Sequence, residues 1–555
     1  RDTTLMQRAR RVADDLEAAR WSSSAASARI LSARLALELG HRGRARNDLR
    51  RVNAGPGSPV ALRIQAHHAE ALLALSGGDV ATADACLKAG WDVLEQHRAT
   101  LGATELRVSA AMHAIEIATL GLQLAVSGGD PGRVFDWAER VRAGALHTPP
   151  PRAPRDAILA VALAELRVAA AEADTAAKEG TDPRPALRRQ AELEETIRRR
   201  AQIVPVSEGG AAPAVEAEAL LADLGGHVLV EYLEVDGRLA AVVAADGAHT
   251  LRWLGESATA EREIAALRMA LRRMAVRSPI PALAAAARTA AEVAAEALRR
   301  QLLEPLAAAI AGRPVVVVPA GSLHSLPWAA LRGDHASLVV APSATLWRRG
   351  QREAELARTR GAEASQAGSA RGGVLLAAGP GLNEADAEIE DLASSYPGAL
   401  LLDSGAATID AVRAGLATVD LAHLACHGHF RDDNPLFSAL ELADGALSVF
   451  EFEDLPRVPA RIVLSACDAG RSSVHPGNEL LGVTAALLRL GAQSLVASTL
   501  PVPDGASRRL MTAAHRGLAS GLGMSASLAQ ARTSVDLERD EDFVAAAAFA
   551  VLGSD

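Results

Sequence analysis

The first quarter of the chain has the polarity pattern of successive helices. From Arg1 to about Leu146 it is rich in Ala, Leu and Arg and almost free of β-branched runs, which predicts helix after helix. The breaks fall at Gly40-His41-Arg42-Gly43, Ser76-Gly77-Gly78-Asp79 and Ser127-Gly128-Gly129-Asp130. In the last two, a glycine can end one helix and the aspartate can cap the next, so each reads as the bend of a helical hairpin. Helix pairs that cannot bury their faces alone stack into a solenoid; a plain helical bundle satisfies the same pattern. The Pro-rich stretch Thr148 to Pro154 ends this region. Beyond it, two long helices are predicted at about 155–179 and 183–203, joined by Gly180-Thr181-Asp182-Pro183 and forming an antiparallel arm.

Near Val215 the pattern changes. Val228 to Leu233 and Leu239 to Ala244 flank Asp236-Gly237, a strong hairpin signal. Helical patterns fill about 258–276 and 281–311, and Val315 to Val318 reads as a buried strand followed by Ser322 to Leu331. Between Arg348 and Gly373 the residues turn polar and small, which predicts a mobile loop. Strands at Val374 to Ala378, Leu400 to Leu402 and Ser494 to Ser498 alternate with helices at Ala385 to Ala393, Asn478 to Leu490 and Ala506 to Leu518. The expected fold is therefore an α/β domain, a mostly parallel sheet covered by helices, preceded by an all-α helical-repeat domain. The expected division is 1–150 repeats, 151–214 arm and linker, and 215–555 α/β domain. The last is subdivided into 215–345, a flexible linker at 346–373, and 374–555.

Composition adds mainly exclusions. With 49% hydrophobic and 23% charged residues over 555 positions, the chain is ordinary for a soluble protein of two or three domains. A net charge of −9 gives no electrostatic case for nucleic acid. The three cysteines, Cys86, Cys426 and Cys467, cannot build a disulfide framework and fit a reducing cytosol. No uninterrupted apolar run near 20 residues and no signal peptide is visible, so no membrane association is expected. Because residue 1 is Arg, the natural start is expected to lie upstream.

The chemistry concentrates between Val419 and Gly470. The apolar run from Val419 leads to Cys426-His427-Gly428-His429, and that from Arg461 leads to Ser465-Ala466-Cys467-Asp468. Both read as strands buried on two faces of a parallel sheet. If they are neighbours, His427 and Cys467 reach one edge, where a base can activate a thiol. The backbone amides of Gly428 and Cys467 are candidates to bind an oxyanion. The bland reading is that Cys467 is a small buried hydrophobe and His427 a satisfied structural group. His423, Cys426, His427, His429 and Cys467 also have zinc-ligand types, but residues 423, 426 and 427 of one strand point to mixed faces, and no metal or cofactor is expected. His429 is the runner-up base, and His324 is expected to be structural.

Several strings together resemble the CHAT domain, a family of caspase-like cysteine peptidases commonly fused to tetratricopeptide repeats. They are His423 to Gly428, Asn434 to Leu440, Asp444 to Leu447, Leu464 to Gly470 and Gly491 to Ser498. The resemblance spans about 215–555, and the helical turns are similar to degenerate tetratricopeptide repeats. It implies a caspase-like fold and a dyad of His427 and Cys467, with Ser465 lining the pocket for the residue before the scissile bond. Asp432, Asp433 or Asp468 would supply any charge there. It also implies a protein substrate, a regulatory protein bound by the repeats, a role in bacterial defence or programmed cell death, and self-cleavage within 349–373. Where the family often has Leu-Trp-Pro-Val-Asp-Asp, this chain has Thr499-Leu500-Pro501-Val502-Pro503-Asp504, which leaves the adjoining substrate wall open. The alternative is a non-catalytic scaffold with a degenerate caspase-like domain.

Overall fold

The computed structural model describes residues 3–101, 104–142, 157–201, 214–276, 280–331, 337–366, 372–431, 435–453, 455, 457–466, 473–475 and 479–555. The N-terminal region is helical: α1 (Thr3–Ala18), α2 (Ser22–Glu38), α3 (Arg42–Leu49), α4 (Val60–Leu75), α5 (Val80–Thr100), α6 (Thr104–Ala110), α7 (Ile115–Gly128) and α8 (Pro131–Arg140). α1 packs on α2, α4 on α5 and α7 on α8. The two Ser-Gly-Gly-Asp turns work as their residues dictate. Gly78 and Gly129 are left-handed, with φ of +78° and +72°, while Asp79 accepts from the Thr82 amide at 3.0 Å and Asp130 from the Gly132 amide at 3.0 Å. Each turn therefore ends one helix and caps the next.

The helices bury two separate sets of side chains. Met6, Ile30, Leu49 and Leu62 form a core of their own. Trp91, Ile117, Phe135 and Trp137 instead share a core with the α/β sheet, so the later hairpins are built into that domain. At Gly121 of α7 an added Cβ would come within 2.5 Å of the Trp137 ring, and only glycine permits that approach. One segment among the described residues, Leu106–Gly128, is long and apolar enough to cross a membrane by length and composition. Its Ile117, Gly121 and Ala125 are buried. The arm follows as α9 (Ala157–Glu179) and α10 (Arg184–Ala201), packed against each other as expected.

The sheet strands are β1 (Val228–Val235), β2 (Arg238–Ala245), β3 (Ala248–Glu256), β4 (Val315–Val318), β5 (Leu338–Val340), β6 (Gly373–Ala378), β7 (Leu400–Leu402), β8 (Val419–Ala425), β12 (Arg461–Ser465), β15 (Ser494–Ser498) and β16 (Phe549–Gly553). Smaller sheets hold β9 (Gly428–His429), β10 (Ala439–Leu442) and β11 (Gly445–Ser448), and β13 (Ser473–His475) with β14 (Glu479–Leu481). The large sheet has the order β3-β2-β1-β4-β5-β16-β15-β12-β8-β6-β7. Pairing is parallel except along β3-β2-β1 and at β15-β16. β16 thus joins two parallel halves, pairing parallel with β5 and antiparallel with β15.

The linker expected at 346–373 is corrected. Ala344–Gln366 forms a helix, α11, because Ala, Leu, Glu, Arg and Gln dominate it and favour that state, and because Ala344 and Trp347 are buried at its start. Arg349, Arg352, Arg358 and Arg360 lie on this helix; Arg371 lies outside the described residues. The helix expected over Asn478 to Leu490 is also shorter, Val483–Arg489, with β14 before it.

Two charged residues near the end of the helical region are built into the sheet domain. Glu139, fully buried, accepts hydrogen bonds from the Ala344 and Thr345 amides at 2.7 and 2.9 Å and so caps α11. Arg142 donates from Nε to Glu231 Oε1 at 3.1 Å, from Nη2 to the Tyr232 carbonyl at 2.7 Å, and from Nη1 to the Pro319 carbonyl. Burial raises the pKa values of both Glu139 and Glu231, the latter strongly.

Candidate functional site

β8 and β12 are adjacent and parallel, in register from Arg461 opposite Leu421 to Ser465 opposite Ala425. Continuous apolar residues make them central strands. Ala422 and Leu424 face one core, and Ala425 faces another with Ile389 and Leu392. β8 ends two residues before His427, and β12 ends two residues before Cys467. Cys467 and Asp468, with Asp432 and Asp433, lie outside the described residues.

His427 is half-buried, and its carbonyl accepts from the Glu441 amide at 2.9 Å. Gly428 and His429 form β9, paired with Leu440 and Ala439 of β10. His429 is exposed, with Nε2 at 3.1 Å from Glu441 Oε2. The His427 imidazole lies against the loop after β6. A Cβ placed on Gly381, which has φ of +80°, would sit 3.4 Å from His427 Nε2. Gly381→Ala is expected to cost about 1–2 kcal/mol through left-handed strain, its methyl meeting the ring only in ordinary contact. Urea unfolding reads that cost.

A narrow cleft opens at these strand ends, lined by Glu388, Cys426, Ser465, Ala466, Asp504 and Ser507 among others. Glu388 comes from α12 (Ala385–Ala393) and Asp504 from α13 (Asp504–Ala519). Behind the cleft runs a chain of polar side chains, buried at Glu388, His423 and His515 and half-buried at Tyr396. Tyr396 Oη lies 2.9 Å from His515 Nδ1, His515 Nε2 lies 3.0 Å from His423 Nδ1, and His423 Nε2 lies 3.0 Å from Glu388 Oε1. Burial, with His423 and Arg461 nearby, holds the pKa of His515 well below the usual histidine range.

These contacts sort the remaining sequence candidates. His423 is committed to Glu388 and His515, away from any ligand set with His427, and no metal-binding group of three His, Cys, Asp or Glu occurs among the described residues. Cys86 and Cys426 form no disulfide, and burial with nearby acids pushes the Cys86 thiol up. His324 follows β4 in the other half of the sheet; burial and then Arg142 push its pKa down to about 3. Glu388, His515 and Gly381 escape a reading of single motifs. The usable signal for Glu388 was its place on the helix after a strand end, where open α/β sheets form their crevice.

Arm and site also meet. Arg431, two residues past His429, pairs with Glu194 of α10, and Arg167 of α9 donates to Glu451 at 2.5 Å. Phe437 packs with Leu163 and Ile197.

Residues 292–553 match the family model of the CHAT domain. The match begins within the helix Pro281–Leu302, later than the 215 expected from sequence strings. No curated protein matches the sequence. Two solved Saccharomyces cerevisiae separase–securin complexes are similar, at 10% and 8% identity with TM-scores of 0.45 and 0.43. Each match covers 99% of this chain and 48% of the other, so the chain spans about half the length of those proteins.

Proposed function

We propose that the chain is a cysteine endopeptidase that cleaves a protein substrate through His427 and Cys467. The observation that carries this reading is the parallel register of β8 and β12: Ala425 stands opposite Ser465, and each strand leads within two residues to one member of the dyad. The CHAT match over 292–553 includes both positions.

In this reading the Cys467 thiolate attacks the scissile carbonyl, with His427 having taken the thiol proton. The amides of Gly428 and Cys467 hold the oxyanion. As the C–N bond breaks, the imidazolium gives its proton to the leaving amine; water, deprotonated by the imidazole, then hydrolyses the thioester. Ser465 lines the wall of the adjoining cleft, and Asp432, Asp433 and Asp468 remain candidates to add charge. The helical repeats of 1–150 bind a regulatory protein and the arm of 151–214 relays its effect to the 215–555 domain, in a cytoplasmic system of bacterial defence or programmed cell death.

Iodoacetamide labelling at neutral pH with peptide mapping tests the dyad. Cys467 is expected to react faster than Cys86 or Cys426, and His427→Ala to remove the difference. Equal, slow labelling of all three in the presence of the activating partner would favour the scaffold reading instead.

A further inference from the structure

We infer that the helical arm braces the loop carrying His427, with Arg431 and Phe437 as positioning residues that the arm grips through Glu194 and an apolar cluster; this rests on the peptidase reading above and names how its site is regulated. His427 opens a hairpin. Its carbonyl accepts from the Glu441 amide at 2.9 Å, Gly428 and His429 pair with Leu440 and Ala439, and the Arg431 amide donates to Ser438 Oγ at 3.1 Å. Displacing the far end of this hairpin therefore tilts the backbone of His427, which is bonded into its first rung. A misplacement of about 1 Å at a catalytic group is already felt in the rate.

The arm holds that far end at two points and the neighbouring strand at a third. The Arg431 guanidinium pairs with Glu194 of α10, whose side chain is only 9% exposed, and lies 6.0 Å from the centre of the Phe437 ring. Reversing one member of a pair so far from solvent costs more than it would at an exposed site. Phe437 is buried against Leu163, Leu166 and Ile197 of the arm, whereas Leu436 and Leu440 of the same hairpin belong to the core under β8 and β12. The hairpin is thus clamped between sheet and arm. Arg167 of α9 donates to Glu451 at 2.5 Å, and Glu451 accepts from the Ser448 amide at 2.9 Å, which fixes the end of β11. All three contacts fall on the small sheet that begins one residue after His427 and on its connections. The cluster holding Phe437 is small and distinct from the cores of the large sheet, so it can open while those stay closed. The arm lies in sequence between the helical repeats and the sheet domain, so a protein that moves the repeats reaches His427 through these contacts.

The test uses the full chain and two readouts, hydrogen exchange of peptides covering 427–441 and the pH profile of Cys467 alkylation by iodoacetamide. Arg431→Glu and Glu194→Arg are each expected to speed exchange in the hairpin about tenfold and to move the alkylation midpoint up towards about 8.5, the value of a thiol without a partner. Combining Arg431→Glu with Glu194→Arg remakes the pair in reverse. It is expected to bring exchange back to within about threefold, and the midpoint to within about half a pH unit, of the unaltered chain. Phe437→Ala should loosen the hairpin as well, and the reversed pair should not repair it. Unchanged exchange in both single variants, or a midpoint that stays put while the hairpin loosens, would overturn the inference and leave the peptidase standing. A double variant with a normal melting midpoint that behaves no better than the singles would overturn it too. Should Cys467 of the unaltered chain react no faster than Cys86 and with an ordinary midpoint, the peptidase reading itself fails, and the exchange data alone judge the grip of the arm.

Discussion

Cys467→Ala abolishes peptide hydrolysis, and His427→Ala lowers it by about a thousandfold or more, if the two form the dyad. The size follows from what remains. Cys426, one residue past β8 and beside Gly379, is 1% exposed and is no substitute nucleophile, and a thiol without a base is mostly protonated at neutral pH. The loss should fall on kcat rather than KM, since neither side chain is asked to hold substrate. His429→Ala is the control: its ring is exposed and turned to Glu441, so the rate should stay within about threefold. Rates of quenched-peptide cleavage with the partner present, on variants with unchanged melting midpoints, decide it. An equal collapse in His429→Ala would transfer the role of base to that residue.

The second large effect is on stability. Arg142→Met removes the only described cation facing Glu231, whose Oε2 already lacks a hydrogen-bond partner. Stranding a buried charge in this way costs about 3–5 kcal/mol, read by urea unfolding at pH 8. Adding Glu231→Gln should recover more than half of that loss, because the remaining amide needs no counter-ion. The sign with pH is set by burial, which raises the folded-state pKa of Glu231 above its ordinary 4.5. A carboxyl shifted this way favours the fold below its unfolded pKa and loses that contribution as pH rises through the folded value. The variant's deficit should therefore shrink between pH 8 and about pH 5. Arg142 also stands where the helical region enters the sheet domain, so this pair ties the two together.

Much of the architecture was legible because burial leaves a mark on residue type. β8, β12 and β15 are continuous apolar runs, and Asp236-Gly237 announced the β1–β2 hairpin. β16 left no such mark: Phe549 to Gly553 follows the Ala-rich helix Asp540–Ala548 without a breaking residue. α11 was read as a loop because its polar, small residues suit a solvated face as well as a coil, and what ordered its start, Glu139, lies 205 positions earlier. At the site, His427, Gly428 and Ser465 could be named from short strings. Glu388 could not, because its contact with His423, and through it with His515, depends on how α12 packs on β8 and α13, a property of packing rather than of spacing.

The place of β16 bears on the order of events during synthesis. Its hydrogen bonds to β5 and β15 are what join the two halves of the sheet, yet it is made after every other described strand of that sheet. Each half can gather its own helices as it emerges from the ribosome, but the seam stays open until residue 553 is free. Contacts of such long sequence separation form slowly. The two halves thus dock late, after the other described strands of the sheet have been made.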